Sequence, residues 1–202
     1  MRALVLAAAA PILLLAGTAK ADSFLDLEGG LTTPLGDDDW KNSVESSPKL
    51  AVHAGSIPST VGGMVTADWT PYNTDADANL GPNADVSAHR FRILANLAFQ
   101  SPVKAKLMVT GRIGVGADIQ HYSATASGLG FNFEQSDTDV GIAFEMGAGI
   151  WAKVGSVAIG GELAIPISHH DKDNPNFDYD FVYDTFDLDL LFGVRLLAGH
   201  SD

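Results

Sequence analysis

The sequence contains no cysteine, so neither disulfide bonds nor thiol chemistry contributes to its fold or function. Positive charge is also scarce, with 12 Lys and Arg against 25 Asp and Glu and a formal net charge of −13. Nucleic-acid binding depends on clustered cations that neutralise phosphates. We therefore expect no nucleic-acid partner.

Long apolar runs are missing beyond the first 21 residues, although 46% of the chain is hydrophobic. A helix needs about 20 consecutive apolar residues to span a bilayer, and no later segment supplies them. Any membrane-spanning part of the later chain must therefore use β-strands.

The start of the chain predicts export. An apolar run from Ala3 to Gly17 follows Arg2 and precedes Ala19-Lys20-Ala21, which has the small-x-small form of a signal-peptidase site. We predict that 1–21 is a signal peptide and that 22–202 is one barrel domain, as argued below. Without Arg2 and Lys20, ten cations remain against 25 acids, a net charge of −15.

Apolar and polar residues alternate in eight segments, separated by clusters of Gly, Pro, Asn and Asp. This period of two predicts β-strands with one apolar face. The expected strands lie near 24–33, 49–57, 61–70, 89–100, 105–122, 139–152, 156–168 and 185–197.

The connections between these strands alternate in length. Long polar connections are expected around 37–46, 72–87, 123–138 and 169–184, and short turns at 58–60, 101–104 and 153–155. Outer-membrane barrels have an even strand number, short periplasmic turns and longer extracellular loops. The predicted fold class is all-β, an eight-stranded antiparallel up-and-down transmembrane β-barrel.

One parity of each strand carries no charged residue, as in His89, Phe91, Ile93, Ala95, Leu97 and Phe99. The opposite parity combines charged residues with many small ones, including Gly114, Gly116 and Gly147. A narrow lumen needs small neighbours around large charged side chains, whereas a solvated strand surface disfavours glycine. We therefore expect the charged face inside and the apolar face against lipid. A soluble lipocalin-type barrel, with the faces reversed, is the alternative.

Four aromatic residues lie near expected strand ends: Trp69, Tyr72, Phe99 and Tyr122. Aromatic side chains concentrate at the membrane–water interfaces of such barrels. We expect these four to belong to interfacial girdles.

Three segments carry a resemblance to a known family: Arg90–Leu97 before the Ser101-Pro102 turn, Val109–Gly116, and the closing Asp189–Leu196. With these segments, the chain resembles the small eight-stranded bacterial outer-membrane barrels, such as the OmpA transmembrane domain, OmpX and OmpW. The resemblance implies an integral outer-membrane protein surrounded by lipid and lipopolysaccharide and inserted by the barrel assembly machinery. It implies envelope structure, contact with a surface ligand or limited small-solute passage, without cofactor or catalysis.

Seven charged residues of the inward parity lie at a similar distance from the short turns. Charges in a narrow lumen persist only when paired, because stranding one costs about 3–5 kcal/mol. We expect a nearly balanced belt that plugs the lumen, with Arg112 and Glu145 forming a pair. The alternative is a gate or narrow conduit. The predicted lumen charge belt is Lys49, Asp68, Arg92, Arg112, Glu145, Glu162 and Asp189.

A catalytic alternative rests on His121-Tyr122-Ser123, which is similar to the His-x-Ser of outer-membrane lipid A deacylases. There a histidine activates a serine toward an acyl ester, and here Glu134 could orient the histidine. Ala124 stands where that family has asparagine. We therefore predict no enzyme activity.

A metal alternative rests on the acidic segment His169–Asp180, which offers oxygen ligands for weak calcium binding. It lacks the glycine turn and closing glutamate of an EF-hand loop. Zinc-ligand spacings and phosphate-cradling glycine loops are also missing. The sequence predicts no metal site and no cofactor.

Overall fold

A computed structural model describes residues 23–35, 45–73, 84–101, 106–128, 131–172 and 181–198. Within them the chain forms eight strands, each antiparallel to the next, and the last pairs with the first to close a barrel. The predicted fold class is confirmed. The strands are β1 (Ser23–Pro34), β2 (Ser47–Ser56), β3 (Val61–Asn73), β4 (Ala84–Gln100), β5 (Leu107–Gly128), β6 (Phe131–Val154), β7 (Val157–Lys172) and β8 (Phe181–Ala198).

The predicted signal peptide lies outside the described residues. Among those residues, no helix is long and apolar enough to cross a membrane.

The two faces of the sheet separate apolar from charged side chains, as the alternation predicts. Outward residues such as Ile113, Val140 and Phe192 are each about 60% exposed, whereas the inward Asp26 and Arg92 are buried. A soluble barrel would bury the first set and expose the second. The lipocalin-type alternative is therefore wrong, and the outer surface is apolar in the way that contact with lipid requires.

Glycines on the inner face leave room for the charged side chains opposite them. A Cβ atom on Gly147 would lie 3.4 Å from Cζ of Arg112, and one on Gly141 would lie 2.7 Å from Nδ1 of His170. An eight-stranded barrel is only wide enough for its side chains to fill it. The small residues of the charged parity thus make space for the large ones.

The strands at the long-loop end extend further than the alternation predicts. β5 and β6 continue through most of 123–138, which was expected to be a loop, and β7 and β8 include 169–172 and 181–184. Alternation is needed only where one face meets lipid. Beyond the apolar belt both faces can be polar while backbone pairing continues. Lys106, which falls within the expected strand 105–122, is exposed in the bend before β5.

The girdle expectation stays a prediction for Trp69 and Phe99 and is wrong for Tyr72 and Tyr122. Trp69 and Phe99 face outward and are 41% and 37% exposed. Tyr72 and Tyr122 instead face inward, where they pack with Ala88. Their strand parity, which is that of the charged face, decides their direction and overrides their position near a strand end.

A charge on the outer face should damage assembly. Val115→Lys replaces an outward side chain that is 49% exposed on the apolar belt, and a lysine near the midplane of a barrel costs about 2–4 kcal/mol. The matched control is Ser136→Lys, an exposed position on the part of β6 expected to be a loop. Urea titrations of folding into lipid vesicles should show a lower free energy of unfolding for Val115→Lys and an unchanged one for Ser136→Lys. Equal stability of the two variants would contradict lipid contact at Val115.

The close approach of β4 and β5 is tested by substituting the inward Gly116, with the outward Gly63 as the control. A Cβ atom on Gly116 would lie 1.9 Å from the carbonyl oxygen of Ile93, whereas the nearest atom to one on Gly63 is 4.0 Å away. Overpacking of this kind costs about 1–3 kcal/mol. Gly116→Ser should therefore lower the unfolding midpoint in micelles, and Gly63→Ser should leave it nearly unchanged. A fully stable Gly116→Ser variant would contradict the tight approach of β4 and β5.

Candidate functional site: the lumenal charge network

The centre of the lumen holds ion pairs that surround the guanidinium of Arg92. Its Nη2 lies 2.8 Å from Asp68 Oδ2 and 3.3 Å from both Glu145 Oε2 and Asp189 Oδ2. Lys49 donates from Nζ to Asp189, and this Nζ lies 3.3 Å from Asp68 Oδ2. Two cations thus share three carboxylates, and each of the five side chains is buried.

Arg112 extends this network toward the short-turn end. Its Nε donates to Glu145 Oε1 at 2.8 Å, and its Nη1 donates to Glu162. Gly114 is the residue directly opposite Glu145, so Arg112 and Glu145 meet diagonally between neighbouring strands. The structure therefore joins all seven residues of the sequence-predicted belt into one connected set of ion pairs. They come from β2 to β8, so the network ties nearly the whole circumference together.

A second cluster, centred on Arg90, lies on the long-loop side of the belt. Arg90 Nη2 lies 2.5 Å from Asp118 Oδ2, and Nη1 donates to Asp187. Nη2 also donates to the hydroxyls of Ser168 and Thr185, at 2.6 and 2.9 Å. Nη1 also donates to the Tyr72 hydroxyl at 3.0 Å, so the acceptors of this arginine come from four strands.

The cluster around Arg90 continues to His170, which was expected in a loop. His170 is instead on β7 and faces inward, with Nε2 3.0 Å from Gln120 Nε2 and Nδ1 3.1 Å from Asp139 Oδ2. Its burial is complete. The polar interior therefore extends from the predicted belt toward the long-loop end of the barrel.

A third cluster lies on the short-turn side and is centred on Arg195. Its Nε and Nη2 donate to the two carboxylate oxygens of Asp26 at 2.7 and 2.6 Å, and Nη1 donates to Gln100. The guanidinium carbon lies 4.4 Å from the ring centre of Phe24 and 4.6 Å from that of Trp151. Cation–π contacts of this kind gain strength when water is excluded.

An apolar layer closes the lumen beneath Arg195, and we call it the apolar floor. Its side chains are buried on the inner face near the short turns, in two packed groups that share Leu197. Between this floor and the belt lies a cavity of about 10 Å³, which holds one water at most. The apolar floor comprises Phe24, Ile57, Met64, Ala98, Met108, Trp151 and Ala158.

Two further ionisable residues, Glu28 and His53, meet the belt residue Glu162 in the lumen, and spacing along the sequence did not indicate the three as a group. His53 Nε2 lies 3.5 Å from Glu28 Oε1 and 3.9 Å from Glu162 Oε1. His53 Nδ1 is hydrogen-bonded to the Thr66 hydroxyl at 2.8 Å. We call Glu28, His53 and Glu162 the lumenal triad. Inward parity was the only sequence signal for Glu28, and no signal singled out His53.

Carboxylates outnumber cations in the described interior. Its buried charged residues include nine Asp and Glu but five Lys and Arg. Burying a charge without a partner is costly, so this excess makes the placement of every cation important. The nine acids are Asp26, Glu28, Asp68, Asp118, Asp139, Glu145, Glu162, Asp187 and Asp189.

The deacylase-like residues do not form a catalytic arrangement. Nδ1 of His121 is 2.9 Å from the hydroxyl of Thr138. In the strand register, Glu134 is opposite Thr125, four residues along β5 from His121 and hence about 13 Å away. Among the described hydrogen bonds, none joins His121 to Ser123. Glu134 is therefore too distant to orient this histidine.

The proposed calcium segment is described only in part, since 173–180 lie outside the described residues. At its start, His169 Nδ1 lies 2.7 Å from Asp184 Oδ1 on the exposed surface.

A closed eight-stranded sheet with an apolar outer belt and a charged, filled interior defines a small up-and-down β-barrel with the fold of bacterial outer-membrane barrels. No protein-family model matches the chain, and no curated protein matches it in sequence. Solved structures do share its fold. A major outer membrane protein of Thermus thermophilus is similar with a TM-score of 0.56 at 11% identity, over 86% of this chain and 98% of that one.

Two other outer-membrane proteins are similar at lower TM-scores. Neisserial surface protein A has a TM-score of 0.46 at 15% identity, over 87% of this chain and 96% of its own. Ail of Yersinia pestis has a TM-score of 0.49 at 10% identity, over 87% and 99%.

The belt is tested by a double-mutant cycle. Arg112→Ala and Glu145→Ala should each lower the free energy of unfolding in micelles by about 3–5 kcal/mol, because each strands a buried charge. The double variant should lose less free energy of unfolding than the sum of the two single losses. The difference, which is the interaction energy of the pair, should be about 0.5–3 kcal/mol.

The control cycle combines Arg112→Ala with Asp184→Ala, which removes an exposed carboxylate on the long-loop part of β8. Those two losses should add. Strict additivity of Arg112→Ala and Glu145→Ala would contradict their interaction in the folded barrel.

Proposed function

We propose that this chain is an integral outer-membrane barrel with a closed lumen that serves envelope structure. The observation that carries this proposal is the filling of the interior at successive levels, by the Arg90 cluster, the belt, the Arg195 cluster and the apolar floor. A general conduit for solutes needs a continuous water-filled path. The packing of the described lumen supports a structural role over small-solute passage.

The orientation follows from the two ends of the barrel. Ser23 and Ala198 are paired at the short-turn end, so both described chain ends lie there. In outer-membrane barrels this end faces the periplasm and the longer connections face outside. We propose export through the signal peptide at 1–21, insertion of the 22–202 barrel by the barrel assembly machinery, and contact with lipid and lipopolysaccharide. Surface contact through the long connections is compatible with this role.

Lipid A modification is less well supported. His121 and Ser123 face outward, but Glu134 is too distant to complete a triad with them. We propose that the chain has no catalytic activity. The test is the lipid A of cells that express it, whose acyl chains should remain unchanged in mass spectra.

Closure is tested by conductance in planar bilayers. The wild-type barrel should insert without measurable single-channel current. The Arg112→Ala, Glu145→Ala double variant should also remain silent, because the apolar floor beneath the belt is intact. A wide general porin in the same membranes verifies that current is detectable. Ion current that appears only in the double variant would show that the belt gates a conduit, and would overturn the structural proposal.

A further inference from the structure

We propose that the lumenal triad of Glu28, His53 and Glu162 binds a divalent first-row transition metal, with Zn²⁺ as the representative ion. The sequence predicts no metal site, because the three ligands come from β1, β2 and β7 and have no characteristic spacing. The site shares Glu162 with the belt, but metal binding does not depend on the envelope role.

The distances suit a shared ion. One ligand atom from each residue lies within 4.8 Å of the other two, and His53 Nε2 lies 3.5 and 3.9 Å from the nearer carboxylate oxygens. Ligands bound tetrahedrally at about 2.0–2.1 Å from zinc are separated by about 3.3 Å. Small side-chain shifts would therefore bring all three donors to bonding distance.

The ligand atoms of Glu28 and His53 are buried and lack hydrogen-bond partners in the described part of the chain, whereas Glu162 Oε1 also accepts from Arg112. Among the described residues, both carboxylate oxygens of Glu28 and Nε2 of His53 have no hydrogen-bond partner. The side chains of Glu28 and His53 are completely buried. Buried polar atoms are rarely left unsatisfied without a reason, and these three point toward the same place. An ion at that place would satisfy all of them.

Surrounding residues hold the ligands in position. Nδ1 of His53 is hydrogen-bonded to the Thr66 hydroxyl, so Nε2 remains for the metal. Metal-binding histidines are usually oriented by a hydrogen bond at the other ring nitrogen. Arg112 donates to Glu162 and fixes that carboxylate. Gly193 leaves the space that Glu28 fills, since a Cβ atom there would lie 2.7 Å from Glu28 Cγ.

Charge and ligand type identify the ion. The described interior has nine buried carboxylates and five Lys and Arg, so a dication would offset half of the excess. One imidazole with two carboxylates suits zinc and its neighbours, whereas calcium and magnesium prefer oxygen ligands alone. The triad joins β1, β2 and β7 on either side of the β1–β8 seam that closes the barrel. The metal would strengthen that closure.

The first experiment measures metal retention. The full chain, without a histidine tag, is refolded into micelles with excess Zn²⁺, because the apolar floor and the belt block entry into the folded barrel. After dialysis against metal-free buffer, mass spectrometry of the metal should give about one Zn²⁺ per wild-type chain. His53→Gln and Glu28→Gln should each retain less than about a tenth of this. The matched control, His169→Gln, removes an exposed histidine that also lies beside a carboxylate and should retain the ion.

A positioning test uses Thr66→Val, which preserves shape but removes the hydroxyl that holds His53. Competition with a chelator should show about 10–100-fold weaker zinc binding. A heat-modifiability gel identifies the folded fraction of each variant, so that retention is scored on folded barrel alone. Equal retention by folded His53→Gln and wild type would overturn the site.

A second measurement requires no variant. X-ray absorption at the zinc edge of the wild-type chain should show nitrogen and oxygen neighbours at about 2.0–2.1 Å, with the multiple-scattering signature of imidazole. Loss of the ion from the wild type on dialysis, or an all-oxygen shell without imidazole, would overturn the proposal.

Discussion

The fold depends on the pairing of charged side chains that are buried inside a narrow lumen. Coulombic interactions are strong where water is excluded, and so is the penalty for leaving a charge alone. Arg92 is therefore paired with three carboxylates and Arg112 with two. Each of these contacts joins different strands, so the ion pairs also bind the barrel wall together.

The narrowness of the barrel makes this pairing possible. Side chains from opposite walls meet only because the interior of eight strands is about two side chains wide. Gly147 and Gly141 contribute by having no side chain where Arg112 and His170 need space. The small residues and the large charged ones are therefore two parts of one packing solution.

The two ends of the lumen are filled differently, and this difference bears on function. The long-loop side is polar, with Arg90 bonded to carboxylates and hydroxyls, whereas the short-turn side is closed by the apolar floor. Arg195 lies between the polar and the apolar part of the lumen, since it is paired with Asp26 and contacts the rings of Phe24 and Trp151. An ion crossing the barrel would have to displace both kinds of contact, which is why we favour structure over transport.

Alternation along the sequence was sufficient for the strand number, the closed antiparallel fold and the direction of most side chains. A period of two assigns each residue to a face without any knowledge of its neighbours. In the structure, the parity of β3 and β5 places Tyr72 and Tyr122 on the inner face, and the expectation of girdle positions failed for both because it relied on nearness to a strand end. Where the outer face leaves lipid, alternation is no longer required, so the upper parts of β5 and β6 could not be recognised as strands.

By itself, the sequence determined which residues face the lumen, and rough counting from the short turns was enough to select the seven belt residues. Apart from the Arg112–Glu145 pair on neighbouring strands, only the tertiary structure decided which charged side chains meet. The stagger of strands around a closed barrel shifts the relative heights of side chains, and alternation contains no information about that shift. Glu28, His53 and Glu162 show this most clearly, since their strands are distant in sequence and their meeting point depends on the closure of β1 against β8.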